Sequence, residues 1–229
     1  MTDELPPAND AGIAPVTGYL QIDLWTDLVC PWCYIGRHRL AQAIEASGHA
    51  DRVNLVYHSF ELDATTRHDT QPILDLLAEK YALSPADAAA MEARVAGLAA
   101  ADGLPYSVDR LTSNSFEVHR VTQLAAEYGL AFEVFDELQR IYFSGTGNPF
   151  ARETIIEIAT AAGVPANEVE GVLDSREYAD AVRQDERLAA QIGVTGVPFT
   201  VLDRRIGIPG AVSVEQFAAA IEQALQASA

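Results

Sequence analysis

Both cysteines of this chain lie in one short segment, Cys30-Pro31-Trp32-Cys33. An apolar segment from Tyr19 to Trp25 precedes them, and helix-type spacing of apolar residues follows. The pair therefore lies where a strand gives way to a helix. The N-terminus of a helix stabilises a thiolate, which is the form of cysteine that attacks disulfides. The spacing and the position together predict thiol–disulfide exchange.

The two thiols are expected to perform different steps. Cys30, at the mouth of the helix, is predicted to be exposed and to act as the nucleophile. Cys33, one turn further in, is predicted to be the less exposed resolving thiol. The alternatives are a zinc half-site or two inert thiols. Because structural zinc usually has four ligands and the chain has no second cysteine pair, no metal is predicted.

Apolar periodicity and helix-capping residues predict the elements around this pair. The N-terminal part contains a strand over residues 19–27, a helix over 31–46 that begins at Pro31, and a second strand over 52–60. Two strands around one helix form a βαβ unit, in which the strands are parallel. A hairpin over residues 199–208 and a helix that Ser213 caps follow near the C-terminus.

The helical pattern between these two parts divides the chain. Residues 1–18 are predicted to be a flexible N-terminal tail. Residues 19–70 and 193–229 are predicted to form a thioredoxin-like domain, and residues 71–192 an inserted all-helical subdomain. The predicted class is therefore α/β, a thioredoxin-like fold with a large helical insertion.

Four segments of the chain resemble the DsbA-like thioredoxin-fold family and, within it, the FrnE-type proteins. They are Asp27-Leu28-Val29-Cys30-Pro31-Trp32-Cys33-Tyr34-Ile35-Gly36, Ser59-Phe60-Glu61-Leu62, Asn114-Ser115-Phe116-Glu117-Val118-His119-Arg120 and Gly193-Val194-Thr195-Gly196-Val197-Pro198-Phe199. The resemblance runs from about Tyr19 to Leu225. It implies protein disulfide oxidoreductase activity without a bound organic cofactor, the redox-active group being the Cys30–Cys33 disulfide.

The thioredoxin-like layout also implies positions for the residues around the thiols. The Val197–Pro198 bond is expected to be cis, with Pro198 facing the cysteine pair and the Val197 backbone available to an extended substrate. Trp32 either stacks on a substrate or packs on its helix. His119 is either a proton relay near the thiols or a structural residue at the subdomain junction.

Three residues depart from the pattern of the relatives. Leu24 stands six residues before Cys30, where many thioredoxin-like proteins have a buried acid. Val212 stands where FrnE-type sequences often have Gln. The central pair is Pro-Trp, whereas strongly oxidising DsbA has Pro-His. Because Trp32 cannot stabilise a thiolate electrostatically, we expect a less oxidising protein than DsbA.

Composition limits the class of partner. The formal net charge of −18 argues against nucleic acid and anionic membranes, because both require basic patches. A thiol or disulfide substrate, protein or small molecule, is expected, and the chain is expected to be a monomer or a homodimer. Cysteines confined to one motif and an N-terminus without signal-peptide features predict a cytoplasmic location.

Three other functions remain open at this point, one of them a role in natural-product biosynthesis, which the FrnE resemblance suggests. A glutathione-dependent isomerase or transferase that resembles 2-hydroxychromene-2-carboxylate isomerases would use the same scaffold, with glutathione as co-substrate. Such proteins commonly have Ser at the nucleophilic position and lack the second thiol, so Cys33 argues against this reading. A thiol-dependent chaperone or binding module would use the helical insertion to hold clients.

Overall fold

A computed structural model describes residues 19–227, so the predicted tail, residues 1–18, lies outside the described residues. The strands are β1 (Leu20–Thr26), β2 (Val53–Ser59), β3 (Gln71–Pro72), β4 (Leu111–Thr112), β5 (Phe199–Leu202) and β6 (Ile206–Pro209). Four of them form one sheet in the order β2-β1-β5-β6. β1 and β2 are parallel, as the βαβ pattern predicts, and β5 is antiparallel to both β1 and β6.

The described residues contain nine α-helices. They are α1 (Pro31–Ala46), α2 (Ile73–Tyr81), α3 (Pro85–Ala101), α4 (Phe116–Glu127), α5 (Ala131–Ser144), α6 (Arg152–Ala162), α7 (Ala166–Leu173), α8 (Ala179–Gln191) and α9 (Val214–Ala227). Helices α2 to α8 lie between β2 and β5 in the chain, so the helical insertion follows the βαβ unit as predicted. A two-residue antiparallel ladder, β3 with β4, also lies in the insertion, which is therefore not entirely helical.

Both faces of the sheet are covered. Leu20, Ile22 and Leu24 of β1 pack with side chains of α1 and α9 in one apolar cluster. Trp25, on the opposite face, packs with Ala189 of α8. Because successive side chains of a strand point to opposite faces, β1 lies in the interior of the protein. It delivers the loop after it, which contains the cysteines, to one end of the sheet.

Local capping explains where the helices begin. Ser84 accepts a hydrogen bond from the N–H of Asp87 at the start of α3 (3.2 Å). Ser213 and Gln216 form the reciprocal capping box predicted for the last helix, with bonds of 3.3 and 3.0 Å. No helix among residues 19–227 is both long enough and apolar enough to cross a membrane.

Candidate active site

Cys30 is the N-cap residue of α1, and Pro31 occupies the first turn. The Cys30 carbonyl accepts the N–H groups of Cys33 and Tyr34, so the first turn closes directly on the motif. The Cys30 Sγ lies 3.4 Å from the carbonyl oxygen of Val197, to which the thiol donates. The Val197–Pro198 bond is cis, as expected from the sequence. The structure thus brings together the two segments that the motifs indicated, the cysteine motif and the Val197–Pro198 segment.

Cys30 is less exposed than the sequence analysis predicted. Only 2% of its surface is accessible, because Val197 and the first turn of α1 cover it. The prediction that Cys30 is exposed to bulk solvent is therefore wrong. Cys30 nevertheless lines a cavity of about 470 Å³, together with Pro31, Trp32 and Val197. A substrate would reach the sulfur through this cavity.

Cys33 is fully buried, as expected of a resolving thiol. Burial, together with the neighbouring Cys30 thiol, raises the pKa of Cys33 well above its usual value. The Thr26 hydroxyl and the Asp27 N–H, which lies 3.4 Å from the Cys33 Sγ, act in the opposite direction. Both cysteines are free thiols in this structure. Cys33 is thus held as a protonated thiol.

Pro198 lies directly against α1 at Gly36. A Cβ built on Gly36 would lie 3.0 Å from Pro198 Cγ and 3.3 Å from Ala211 Cα. A side chain at this position would therefore push the helix and the loop slightly apart, and glycine lets them approach this closely. The Pro198 carbonyl accepts the N–H of Gly210 at 2.8 Å, which anchors the loop from its other side.

The helical insertion supplies the far wall of the cavity. Trp32 lines the cavity, is 44% exposed and does not pack into the core. Apolar side chains from three regions make up most of the wall: Leu62 from the loop after β2, Ile73, Leu76, Leu77 and Tyr81 from α2, and Met91 and Val95 from α3. None of these was a candidate in the sequence, since nothing there indicates that α2 and α3 pack beside Cys30.

Three cationic side chains also line the cavity. Lys80 is paired with Asp63 at 2.7 Å. Arg110 is paired with Glu92 at 2.6 Å, and this ion pair is buried. Arg94 is exposed, and no acidic group among the described residues forms an ion pair with it. The cavity therefore has one cation without a counter-charge in a strongly acidic protein.

His119 does not line the cavity; it lies buried behind the thiols. Its Nε2 is 3.2 Å from Asp27 Oδ1, and its Nδ1 is 2.5 Å from the Tyr57 hydroxyl. The second Asp27 oxygen accepts the N–H of Leu62 at 2.7 Å. Burial raises the pKa of Tyr57 well above its usual value, so this residue stays a hydroxyl donor to His119. Three polar groups are thus linked in one buried chain.

Asp27 supplies a buried carboxylate that the sequence pattern did not locate. Leu24, at the expected position for such an acid, belongs to the apolar cluster between β1 and α9. Asp27 lies three residues before Cys30 and is 1% exposed. Gln139 of α5 donates to the Asp27 carbonyl at 3.2 Å and fixes the loop. A signal was present in the sequence: an acid next to the motif and a distant His inside a helix.

Two other residues of the Asn114–Arg120 segment have structural partners. Asn114 donates to Glu61 at 2.9 Å, and its side-chain oxygen accepts the N–H of Phe116 at 2.9 Å. Arg120 donates to the carbonyl groups of Glu177 and Ser175, which fixes the segment before α8. Within residues 19–227, no group of three or more His, Cys, Asp or Glu side chains is placed to hold a metal ion.

Comparisons with known proteins identify the family of this chain. The chain matches the family described as the DSBA-like thioredoxin domain over residues 21–222. A crystal structure of a probable DsbA oxidoreductase from Streptomyces coelicolor is 42% identical, with a TM-score of 0.85 over 91% of each chain. Both lengths are thus nearly fully covered.

More distant structures share the fold. The cytosolic disulfide reductase DsbM from Pseudomonas aeruginosa is 19% identical, with a TM-score of 0.62 over 90% of this chain and 99% of that one. DsbM has also been solved with GSH. A 2-hydroxychromene-2-carboxylate isomerase is 14% identical, with a TM-score of 0.66 over 89% and 95% of the two chains. The match over residues 21–222 shows that the chain belongs to the DSBA-like thioredoxin domain family.

Proposed function

We propose that this protein is a thiol–disulfide oxidoreductase in which Cys30 exchanges disulfides with a substrate and Cys33 resolves the mixed disulfide. The observation that carries the proposal is the asymmetry of the two sulfurs. Cys30 caps a helix and lines a cavity, whereas Cys33 is fully buried with a raised pKa. A sulfur in the wall of a cavity beside a partner outside that wall is the arrangement that a two-step exchange requires.

In the reducing direction, the Cys30 thiolate attacks one sulfur of a substrate disulfide. The substrate S–S bond breaks, one substrate thiolate leaves, and a mixed disulfide forms at Cys30. Cys33 then loses its proton and attacks the Cys30 sulfur, which releases the second substrate thiolate. Two electrons pass from the protein dithiol to the substrate, and the Cys30–Cys33 disulfide remains. The oxidising direction is the reverse sequence.

The buried chain of Asp27, His119 and Tyr57 is proposed to receive the proton that Cys33 loses. Asp27 already contacts the Cys33 sulfur through its backbone N–H, which stabilises the developing thiolate. The carboxylate of the same residue is hydrogen-bonded to His119. His119 acts through Asp27 and is therefore a positioning residue in this mechanism.

Insulin-disulfide reduction tests the proposal. Wild type is expected to reduce insulin, Cys30→Ser to be inactive, and Cys33→Ser to accumulate a covalent mixed disulfide at Cys30. Comparison with the wild type distinguishes a resolving thiol from an inert one, since an inert Cys33 would leave the mixed disulfide trapped in the wild type as well. Full activity in Cys30→Ser would overturn the assignment.

Other roles differ in measurable ways. In a glutathione-dependent isomerase, Cys33→Ser would retain activity with glutathione, whereas the dithiol mechanism predicts its loss. In a chaperone, a Cys30→Ser/Cys33→Ser double variant would still suppress aggregation of a reduced client. Trp32, Leu62 and Tyr81, all exposed around the cavity, are the apolar surface on which such a role would depend.

The proposal includes the FrnE-type subgroup, a cytoplasmic location and a monomeric or homodimeric state. The four sequence segments quoted above support the subgroup, and confinement of both cysteines to one redox motif supports a reducing compartment. Cell fractionation and sedimentation equilibrium test the location and the oligomeric state.

A further inference from the structure

We infer that the cavity beside Cys30 binds a low-molecular-weight thiol or disulfide that has an apolar body and a carboxylate, with Arg94 holding the carboxylate. This inference rests on the proposed function, because it names the substrate class of the same site. Four properties of the cavity carry it: its size, the chemistry of its wall, its unpaired cation and the place of the sulfur.

The size fits a small molecule. Cavities that enclose small ligands in proteins measure about 300–1,000 Å³, and this one measures about 470 Å³. It is walled by the cysteine loop on one side and by α2 and α3 on the other. A single side chain of a protein substrate would leave most of that space unfilled.

The wall favours an apolar body. Ile73, Leu76 and Leu77 of α2 face the same cavity as Val95 of α3, and Met91 adds an adaptable thioether. Removing an aromatic or branched alkyl group from water against such a wall is favourable by about 25 cal/mol for each Å² buried. A ligand whose body is polar throughout gains little from this part of the cavity.

The charges favour a carboxylate. Asp63 neutralises Lys80, and Glu92 neutralises Arg110, so neither cation needs a ligand. Arg94 lines the cavity with no ion-pair partner among residues 19–227, in a chain with net charge −18. A guanidinium group binds a carboxylate with two parallel hydrogen bonds. A ligand with one carboxylate would therefore complete the charge balance of the cavity.

The position of Cys30 requires the ligand to contain sulfur. Cys30, Trp32 and Val197 line the same cavity as Arg94, so a ligand that fills the cavity contacts both the cation and the sulfur. Cys30 thiolate attacks the ligand disulfide, the S–S bond breaks, and one ligand thiolate leaves. Cys33 resolves the mixed disulfide and the second ligand thiolate leaves, so two electrons pass from the protein to the ligand.

Two aromatic disulfides test the inference on the full chain. Dithiobis(nitrobenzoate) carries carboxylates, whereas dithiodipyridine is uncharged, and both release absorbing thiols when Cys30 attacks. The measured quantity is the ratio of their second-order rate constants with the reduced protein. We expect Arg94→Gln to lower this ratio about fivefold, the contribution of a partly exposed ion pair. Arg187→Gln makes an equal charge change at an exposed position of α8 outside the cavity. It should leave the ratio unchanged.

Occupation of the cavity is tested by protection. Nitrobenzoate has the carboxylate and the aromatic body but no sulfur, so it is expected to slow the reaction of Cys30 with dithiodipyridine in a saturable manner. Leu77→Gln should weaken that protection, whereas Leu98→Gln, at an exposed position of α3 outside the lining, should not. Circular dichroism checks that each variant is folded.

The outcomes separate this inference from the proposed function. An unchanged ratio in Arg94→Gln, or the absence of protection by nitrobenzoate, would overturn the small-ligand inference even if insulin is reduced. Insulin reduction that nitrobenzoate does not inhibit, combined with no protection, would instead assign the site to protein substrates. A Cys30→Ser variant that remains active on insulin would overturn the proposed function itself.

Discussion

The imidazole of His119 is hydrogen-bonded to the carboxylate of Asp27, with Nε2 and Oδ1 3.2 Å apart, although the residues are 92 positions apart in the chain. The first prediction concerns this pair. Asp27→Asn and His119→Gln are expected to slow the resolving step at least tenfold at neutral pH, since a positioned proton acceptor contributes about 10²–10⁴ in rate. Release of the second thiolate from a preformed Cys30 mixed disulfide measures this step.

The pH dependence separates a proton acceptor from a merely structural residue. The slowed variants should recover as the pH rises, because bulk hydroxide then removes the Cys33 proton. Asp23→Asn is the matched control: it also removes a buried carboxylate, but one that lies on β1 and binds His58. Resolution of Asp27→Asn at the wild-type rate over the whole pH range would contradict the role.

The second prediction compares two helical glycines. Gly36 of α1 meets Pro198 and Ala211, whereas Gly97 of α3 has open space around its Cα. Gly97→Ala should raise the free energy of unfolding by about 1 kcal/mol through helix propensity. Gly36→Ala should not stabilise the protein in this way, because overpacking against Pro198 and Ala211 costs about 1–3 kcal/mol and offsets the gain in helix propensity.

Chemical denaturation of the two alanine variants measures the difference. Gly36→Ala should also alter the reaction rate of Cys30, since Pro198 is the neighbour that must move. Equal stabilisation by both substitutions would show that the contact between α1 and the Pro198 loop is not tight.

The sequence predicted the elements well because their signals are local. The helix over residues 31–46 and the strand at Phe199–Leu202 have the expected bounds, set by Pro31 and by the alternation of apolar residues. The parallel pairing of β1 with β2 followed from the length of the crossover between them. The residues within one helical turn or one strand are therefore enough to specify where these elements begin and end.

The features that the sequence did not predict depend on long-range packing. Cys30 is covered by Val197, 167 residues away, so its low exposure has no local signal. The cavity wall comes from α2 and α3, whose composition alone resembles ordinary apolar helix faces. The buried acid is Asp27 rather than residue 24, because Leu24 is needed in the core.

The third prediction concerns His58, which bridges two carboxylates. Its Nε2 lies 2.9 Å from Asp23, and its Nδ1 lies 2.8 Å from Asp185 of α8, while its ring stacks on Trp25. Burial lowers the pKa of His58, but the hydrogen bonds to Asp185 and Asp23 outweigh it and raise the pKa to about 9. The charged imidazole thus holds α8 on the edge strand β2.

The folded-state pKa of His58 lies above its usual value of 6.5. The bridge therefore contributes fully to the free energy of unfolding below pH 6.5, and this contribution is lost as the pH rises through about 9. The contribution is about 3 kcal/mol. The wild type minus His58→Gln difference in unfolding free energy should therefore shrink between neutral pH and pH values above 9. A difference in unfolding free energy that does not change with pH would mean that His58 is not charged in its bridge to Asp23 and Asp185.

The last prediction is the redox potential. The Cys30 thiol donates a hydrogen bond to the Val197 carbonyl, which stabilises the protonated thiol and not the thiolate. Trp32 adds no charge. Without a cationic side chain in the central pair the thiolate is less stabilised than in DsbA, so the potential should lie well below about −120 mV, the value of DsbA. Equilibration of the Cys30–Cys33 pair with glutathione buffers measures it.

Trp32→His provides the matched test, because Trp32 is exposed and its replacement leaves the core intact. A cationic imidazole beside Cys30 should stabilise the thiolate by about 1.4 kcal/mol, which raises the potential of a two-electron couple by about 30 mV. The shift should decrease above the pKa of the new imidazole. A wild-type potential near that of DsbA would require another source of thiolate stabilisation, and the N-terminus of α1 at Cys30 would then be the group to examine.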